Sequence, residues 1–320
     1  MSLNNPLFRR GPDLYLTDGG LETTMIFKKG IDLPCFAAFD MLKDETGCEE
    51  MKNYYRNYLE IAASYNTGFI LESPTWRANP DWIQKVGYPE SELYNINKKA
   101  IEMMVELKEE YRGRIRSILI SGCIGPRGDG YNPGEKMSIN EAKEYHLQQI
   151  KALRETPVDM ISAYTINYVE EAIGIALACE EVGLPCVISF TVETDGFLPS
   201  GRSMKDAIEL VDSSVETKPL YYMINCAHPD HFTNEINAGV DHNWTSRING
   251  IRSNASRKSH QELDNSTMLD RGNPRDLGLQ NRELKNNLQH MMVFGGCCGT
   301  DEEHVQEIIQ HLRYKNDIIL

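Results

Sequence analysis

The chain has little positive charge to spare. Its 33 Lys and Arg face 47 Asp and Glu, for a formal net charge of −14, and no basic stripe interrupts that balance. Nucleic acid and anionic membrane surfaces are therefore poor candidates as partners. Long apolar runs are also missing: none approaches the roughly 18 residues that a membrane-spanning helix needs. The opening Met1-Ser2-Leu3-Asn4-Asn5-Pro6 lacks the apolar segment of a signal peptide, so the expected location is cytoplasmic. Cysteine is sparse, eight in 320 residues, too few for a disulfide scaffold and in keeping with a reducing compartment. No G-x-G-x-x-G follows a strand-like run, which argues against a Rossmann-type nucleotide site. No linker or composition break divides the chain, and residues 1–320 read as one domain.

What is present is an alternation of strand and helix signals. Leu14-Tyr15-Leu16-Thr17 is a short apolar run that enters the turn Asp18-Gly19-Gly20. Helical periodicity over Glu49 to Tyr65 precedes the strand Phe69-Ile70-Leu71, which ends at Glu72-Ser73-Pro74. A charged amphipathic helix over Glu90 to Arg112 leads to a strand over Ile115 to Ile120 and then Ser121-Gly122-Cys123. Ser138 and Glu141 form a capping box for a helix that reaches about Glu155. Further strands are expected at Val158 to Ile161, Cys186 to Val192, Leu220 to Ile224, Ser246 to Ile251 and His290 to Phe294. Helices are expected at Val169 to Val182, Ser203 to Ser213, from Pro229, at Asn281 to Leu288 and at Asp301 to Tyr314. Ser253 to Gly278 is rich in polar and turn-forming residues with little periodicity, and reads as a lid or mobile segment. About eight βα units in a chain of this length point to an α/β fold, a (β/α)8 TIM barrel.

In such a barrel the chemistry sits at the C-terminal ends of the strands. Those positions hold Asp18, Glu72, Cys123, Tyr164, Glu193, Cys226, Asn254 and the pair Cys297-Cys298. Cys35, Cys48, Cys179 and Cys186 are scattered singly and read as packing residues. Cys226, Cys297 and Cys298 follow the sixth and eighth strand runs, so three thiols could converge at one mouth. Three soft sulfurs suit a zinc ion and leave one tetrahedral position open, as catalytic zinc sites do. The plainer alternative makes Cys297-Cys298 a small-residue turn and Cys226 an ordinary buried cysteine. His228, His231 and His304 are rival ligands nearby in sequence, and Cys123 could also join, although it is expected to pack beside the mouth.

Asp18-Gly19-Gly20-Leu21-Glu22-Thr23, Asn225-Cys226 followed by Pro229, and Gly295-Gly296-Cys297-Cys298-Gly299-Thr300 together resemble the homocysteine S-methyltransferase family. Ile188-Ser189-Phe190-Thr191 and the loop Asp195-Gly196…Leu198-Pro199…Gly201 resemble it too, so the likeness runs along nearly the whole chain. The paired cysteines with a distant Asn-Cys are its most specific part. The resemblance implies zinc held by Cys226, Cys297 and Cys298, and transfer of a methyl group to a small thiol. Homocysteine, giving methionine, is the default acceptor. The implied donor is a small diffusible sulfonium such as S-methylmethionine or S-adenosylmethionine, with betaine less favoured, because the chain is too short for folate and cobalamin modules. Asp18 is the expected partner of the substrate ammonium and Glu72 a second catalytic carboxylate; Glu22 is expected to cap or orient the segment that follows.

The chain departs from the family where the amino acid would be recognised. The family commonly carries an acid at the fourth strand end, and this chain has Ser162-Ala163-Tyr164-Thr165. Pro74 replaces a usual Asn after Glu72, Trp76 offers an aromatic wall for a cationic donor, and the stretch after Asn254-Ala255 lacks the typical continuation. A different small thiol is thus the alternative acceptor. A zinc-dependent barrel lyase or hydrolase is a separate alternative and would need Glu72, Glu193 or His228 as general base; a non-catalytic thiol- or metal-binding barrel is a third.

Overall fold

The computed structural model describes residues 7–8, 11–240, 243–264, 266 and 268–313, with the side chain of residue 264 outside that description. Among the described residues eight strands occur: β1 Tyr15–Leu16, β2 Gly68–Glu72, β3 Ile118–Ile124, β4 Met160–Ile166, β5 Cys186–Phe190, β6 Tyr222–Asn225, β7 Ile248–Ser253 and β8 Val293–Gly296. All are parallel and pair in sequence order, and β1 closes the ring on β8 through Tyr15↔Val293 and Leu16↔Phe294. Every strand residue is buried, as expected where helices cover the outside and side chains fill the inside. The expected (β/α)8 barrel is the fold.

The connecting helices are α1 Leu21–Thr23, α2 Glu45–Ser64, α3 Pro80–Val86, α4 Leu93–Glu110, α5 Ile139–Arg154, α6 Val169–Val182, α7 Met204–Ser214, α8 Pro229–Ala238, α9 His260–Asp264, α10 Pro274–Asn287 and α11 Glu302–Arg313. The capping box at Ser138 and Glu141 is present. Helix α2 starts earlier than its periodicity suggests, because Asp44 accepts from the Gly47 backbone N–H and supplies an N-cap. Likewise α10 starts at Pro274, capped by Asn273, inside the stretch that reads as loop. Tyr314, the expected end of the last helix, lies outside the described residues. Among the described residues no helix is long and apolar enough to cross a membrane.

Strands β3 and β4 run further than their apolar cores imply, through Cys123 and Tyr164 respectively. Polar residues in these extensions are satisfied between the neighbouring strands: the Ser121 and Ser162 hydroxyls bond at 2.7 Å. Side chains alternate between the two faces of a strand, and Ile70, Leu119, Cys123, Met160, Tyr164, Val187, Met223 and Val293 form one interior cluster. Continuing that alternation one layer upward brings Glu72, Asn225 and Arg252 to the mouth. Cys123, expected beside the mouth, belongs to the interior packing and also reaches the cavity above it.

Candidate active site

The mouth opens into a cavity of about 430 Å³, lined by Asp18, Glu22, Glu72, Trp76, Arg77, Tyr131, Tyr164, Arg252 and all three candidate cysteines. Two glycines let its floor close. A Cβ on Gly295 would overlap the Thr17 hydroxyl, and one on Gly296 the Thr300 hydroxyl, so β8 can lie against the β1 end only without side chains there.

Cys226 follows β6 with a φ of 53°, a left-handed conformation unusual for a residue with a side chain. Several bonds hold it there. Its N–H donates to the Arg252 carbonyl at 3.2 Å, and its own carbonyl accepts from Asn254 Nδ2 at 3.0 Å and lies 2.7 Å from His260 Nε2. Cys297 is fixed by its N–H to the Ser253 carbonyl at 2.8 Å and by the Thr300 hydroxyl on its carbonyl at 2.7 Å. The sulfurs of Cys226, Cys297 and Cys298 all lie within 4.8 Å of one another.

The sequence suggests free thiols throughout, yet Cys226 and Cys297 are joined as a disulfide in this structure, with Cα atoms 5.4 Å apart. Convergence of the two strand ends brings them within bonding range. Cys298 remains a thiol, 3.9 Å from the Cys226 sulfur and 3.7 Å from the Tyr131 hydroxyl. Burial pushes that thiol up to about 11, so it ionises at neutral pH only beside a cation. A cluster of three soft sulfurs open to a cavity fits zinc once the cysteines are reduced. Sulfurs about 3.8 Å apart are what a tetrahedral zinc with ordinary zinc–sulfur bonds requires.

The rival histidines go elsewhere. His304 bonds Asp301 at 2.7 Å and the Arg271 carbonyl at 2.8 Å, His231 bonds the Arg257 carbonyl at 2.9 Å, and His228 caps the Asp230 backbone N–H. None joins the sulfur cluster. The stretch expected as a lid contributes α9 and the cavity-lining residues Leu263, Ser266, Met268, Leu269 and Asp270. Its His260 stacks on Tyr131 with ring centroids 3.9 Å apart and lies 3.3 Å from Glu193, which ties the strand-5 end to the same contact.

The two candidate carboxylates are both buried and differ in their partners. Asp18 accepts from the Tyr54 hydroxyl at 2.9 Å and faces Arg252 Nη2 at 2.9 Å. Burial raises its pKa, with Arg252 and then Tyr54 acting against that. Glu72 accepts from the Tyr164 hydroxyl at 2.8 Å through Oε1, while Oε2 has no hydrogen-bond partner. Burial raises Glu72 to about 7, with Arg252, Ser121 and Tyr164 pulling it back. Glu22, in the first turn of α1, is lifted to about 7 by burial as well, and it faces the cavity.

Arg252 is the residue that sequence reasoning missed. Besides Asp18, it donates to the Gly296 carbonyl at 2.8 Å and the Gly19 carbonyl at 2.9 Å, tying β7, β8 and the β1 turn together. Its guanidinium also sits 5.0 Å from the Tyr164 ring centroid. The available signal was a single basic residue two places before Asn254, in the weakest strand of the pattern.

The sequence and the fold have relatives that bear on this arrangement. The homocysteine S-methyltransferase family matches residues 15–312. Homocysteine S-methyltransferase 1 of Arabidopsis thaliana is 26% identical over 255 residues, covering 73% of this chain and 75% of the plant protein. The selenocysteine Se-methyltransferase of Brassica oleracea var. italica is 25% identical over 237 residues, covering 67% and 65%. Among solved structures, the oxidized form of the homocysteine methyltransferase MmuM from Escherichia coli superposes with a TM-score of 0.74 at 18% identity, over 96% of this chain and 99% of that one. Its metallated form gives 0.73 at 16% identity, over 93% and 96%. At those identities the structural likeness speaks for the barrel alone, and the family match carries the assignment: this chain belongs to the homocysteine S-methyltransferase family and is an enzyme of that methyltransferase type.

Proposed function

We propose that this enzyme moves a methyl group from a small sulfonium donor, S-methylmethionine or S-adenosylmethionine, to a thiol. Homocysteine is the default acceptor and methionine the product, in the cytoplasm, where thiols stay reduced. The observation that carries this reading is the convergence of the Cys226, Cys297 and Cys298 sulfurs within 4.8 Å at a cavity, in a chain of this family. Those residues would hold zinc, whose chemistry is to make a neighbouring thiol a thiolate, and so a nucleophile, at neutral pH. The methyl carbon then forms a bond to the acceptor sulfur as its bond to the donor breaks. The bonding pair leaves on the donor sulfur, which becomes a neutral sulfide, and the acceptor's proton is lost to solvent.

The chain's own residues supply binding and enclosure. Asp18 is committed to Arg252 and Tyr54, so its role is to neutralise and position Arg252. Glu72 offers a buried oxygen without a partner, suited to the acceptor's ammonium. A cation there favours its ionised form. Tyr131 and His260 pack beside the cysteines, one at the Cys298 sulfur and the other at the Cys226 carbonyl. Tyr164, standing where the family places an acid, favours a second reading in which another small thiol or selenol is the acceptor.

The test is a panel of thiols offered with each sulfonium donor to reduced, zinc-loaded protein, scored for methylated product. Transfer to homocysteine, abolished by chelation and by Cys298→Ala, is the expected result. Undiminished transfer after confirmed metal removal would sink the mechanism.

A further inference from the structure

Arg77 is a second guanidinium in the cavity wall, and the mechanism leaves it without a task. It follows β2, is only 7% exposed and lines the same cavity as the three cysteines. Its guanidinium carbon lies 3.5 Å from the Trp82 ring centroid and 4.3 Å from that of Trp76, which fixes its plane between two aromatic faces. Its single hydrogen bond among the described residues runs from Nη1 to the Gly128 carbonyl at 3.0 Å, and Nε has no partner. Among the described residues no ion pair satisfies it, although the chain carries an excess of 14 negative charges. Buried arginines are ordinarily paired. Burial depresses its pKa to about 10, with Asp129 and Glu22 opposing that shift from beyond ion-pair reach, so the group stays charged at neutral pH.

The loop that accepts the Arg77 hydrogen bond at Gly128 continues to Tyr131, whose hydroxyl lies 3.7 Å from the Cys298 sulfur. Arg77 and the candidate metal centre are thus held by one short segment. The carboxyls of Glu22 and Glu72 in the same wall carry the opposite sign and cannot serve an anion.

Resting on the methyl-transfer reading for its substrates, we infer that Arg77 is a specificity residue that binds a carboxylate carried by one of the two substrates. A planar, pre-oriented guanidinium with unused donors matches a carboxylate well. The substrate class is then a thiol acid or a sulfonium acid, and a neutral or purely cationic thiol and donor pair would leave Arg77 buried and unpaired. Such a site rejects analogues that lack the partner group.

The test is calorimetric binding to reduced, zinc-loaded protein, which needs no turnover. The ligands are homocysteine, its decarboxylated analogue 3-aminopropane-1-thiol, S-methylmethionine and (3-aminopropyl)dimethylsulfonium. Wild-type protein should bind one carboxylate-bearing compound about ten- to a hundred-fold more tightly than its decarboxylated counterpart, the range a charged hydrogen bond supplies. The pair that shows the ratio identifies acceptor or donor as the source. Arg77→Gln should erase the ratio by weakening only the carboxylate compound, and Arg77→Lys should restore part of it. A ratio near one for both pairs in wild-type protein overturns the inference, even if the variants fail to fold. Equal weakening of a compound and its decarboxylated partner in Arg77→Gln overturns it too, since that is a structural role. Carboxylate discrimination without methyl transfer to any thiol would defeat the functional reading and leave this inference standing.

Discussion

The Tyr164 hydroxyl donates to Glu72 Oε1 at 2.8 Å across the barrel interior, joining residues 92 apart in sequence. The bond couples the end of the fourth strand, which carries no acid of its own, to a carboxylate on the second. The second strand supplies that carboxylate, and Tyr164 orients it and leaves Oε2 buried without a hydrogen-bond partner.

Glu72 makes stability depend on pH in a stated direction. Its folded pKa, about 7, lies above the ordinary 4.5 because burial disfavours the charge. The native state therefore binds more protons than the unfolded chain between those values, and stability falls as pH rises through that window. The stabilisation is complete below about 4.5 and lost above about 7. At a fixed metal loading, Glu72→Gln should gain melting temperature relative to wild type between pH 5 and pH 8, by an amount reflecting up to roughly 3 kcal/mol. Tyr164→Phe should push the window upward, because it removes a donor that favours the carboxylate. Thermal unfolding across that pH range checks both; a pH-independent difference between Glu72→Gln and wild type would contradict the assignment.

Gly295 carries a second prediction. Its missing Cβ makes room for the Thr17 hydroxyl, and the next obstacle is the Asp18 carbonyl at 3.0 Å. Gly295→Ala should cost about 1–3 kcal/mol by overpacking. Thr17→Ala should recover part of that loss in the double variant, since the oxygen in the way is gone and the remaining contacts are only tight. Urea denaturation of the four proteins measures the coupling. Additive losses would mean that the two positions do not press on each other.

The barrel and its three cysteines were legible in the sequence because local signals mark them. Buried strands read as apolar runs, and Gly295-Gly296 announces a close approach whose purpose the adjacent thiols suggest. The remainder depends on pairings between distant strands. Glu72 was visible as a strand-end acid, but its tie to Tyr164 was not, since nothing near either residue encodes it. His260 was hidden in a polar stretch, and its stacking on Tyr131 joins residues far apart in sequence. The β4 strand outruns its apolar pattern, which Ser162 and Thr165 interrupt, and both are polar for partners inside the barrel: Ser162 for Ser121, and Thr165 for Asn225 at 2.9 Å.

Arg252 is the sharpest case of such a hidden residue, and its energetics follow from its partners. Its closest carboxylate, Asp18, lies 234 positions away and is itself buried. Arg252→Met would leave Asp18 with Tyr54 as its remaining side-chain partner and remove the donors to the Gly296 and Gly19 carbonyls. Breaking a buried pair from one side costs about 3–5 kcal/mol, so the variant should lose that much at neutral pH. Because Arg252 holds down the pKa of Asp18 and of Glu72, its removal raises both further. Each raised carboxyl is stabilising while protonated and loses that contribution as pH rises through its folded pKa. The deficit of Arg252→Met should therefore be smaller at pH 5 than at pH 8. Adding Asp18→Asn should return part of the loss at pH 8, where the orphaned charge is costly, and less at pH 5. Denaturant titrations of wild type, both single variants and the double variant at the two pH values decide it. A deficit independent of pH, with no recovery from Asp18→Asn, would mean that Arg252 serves the backbone carbonyls and not the carboxylates.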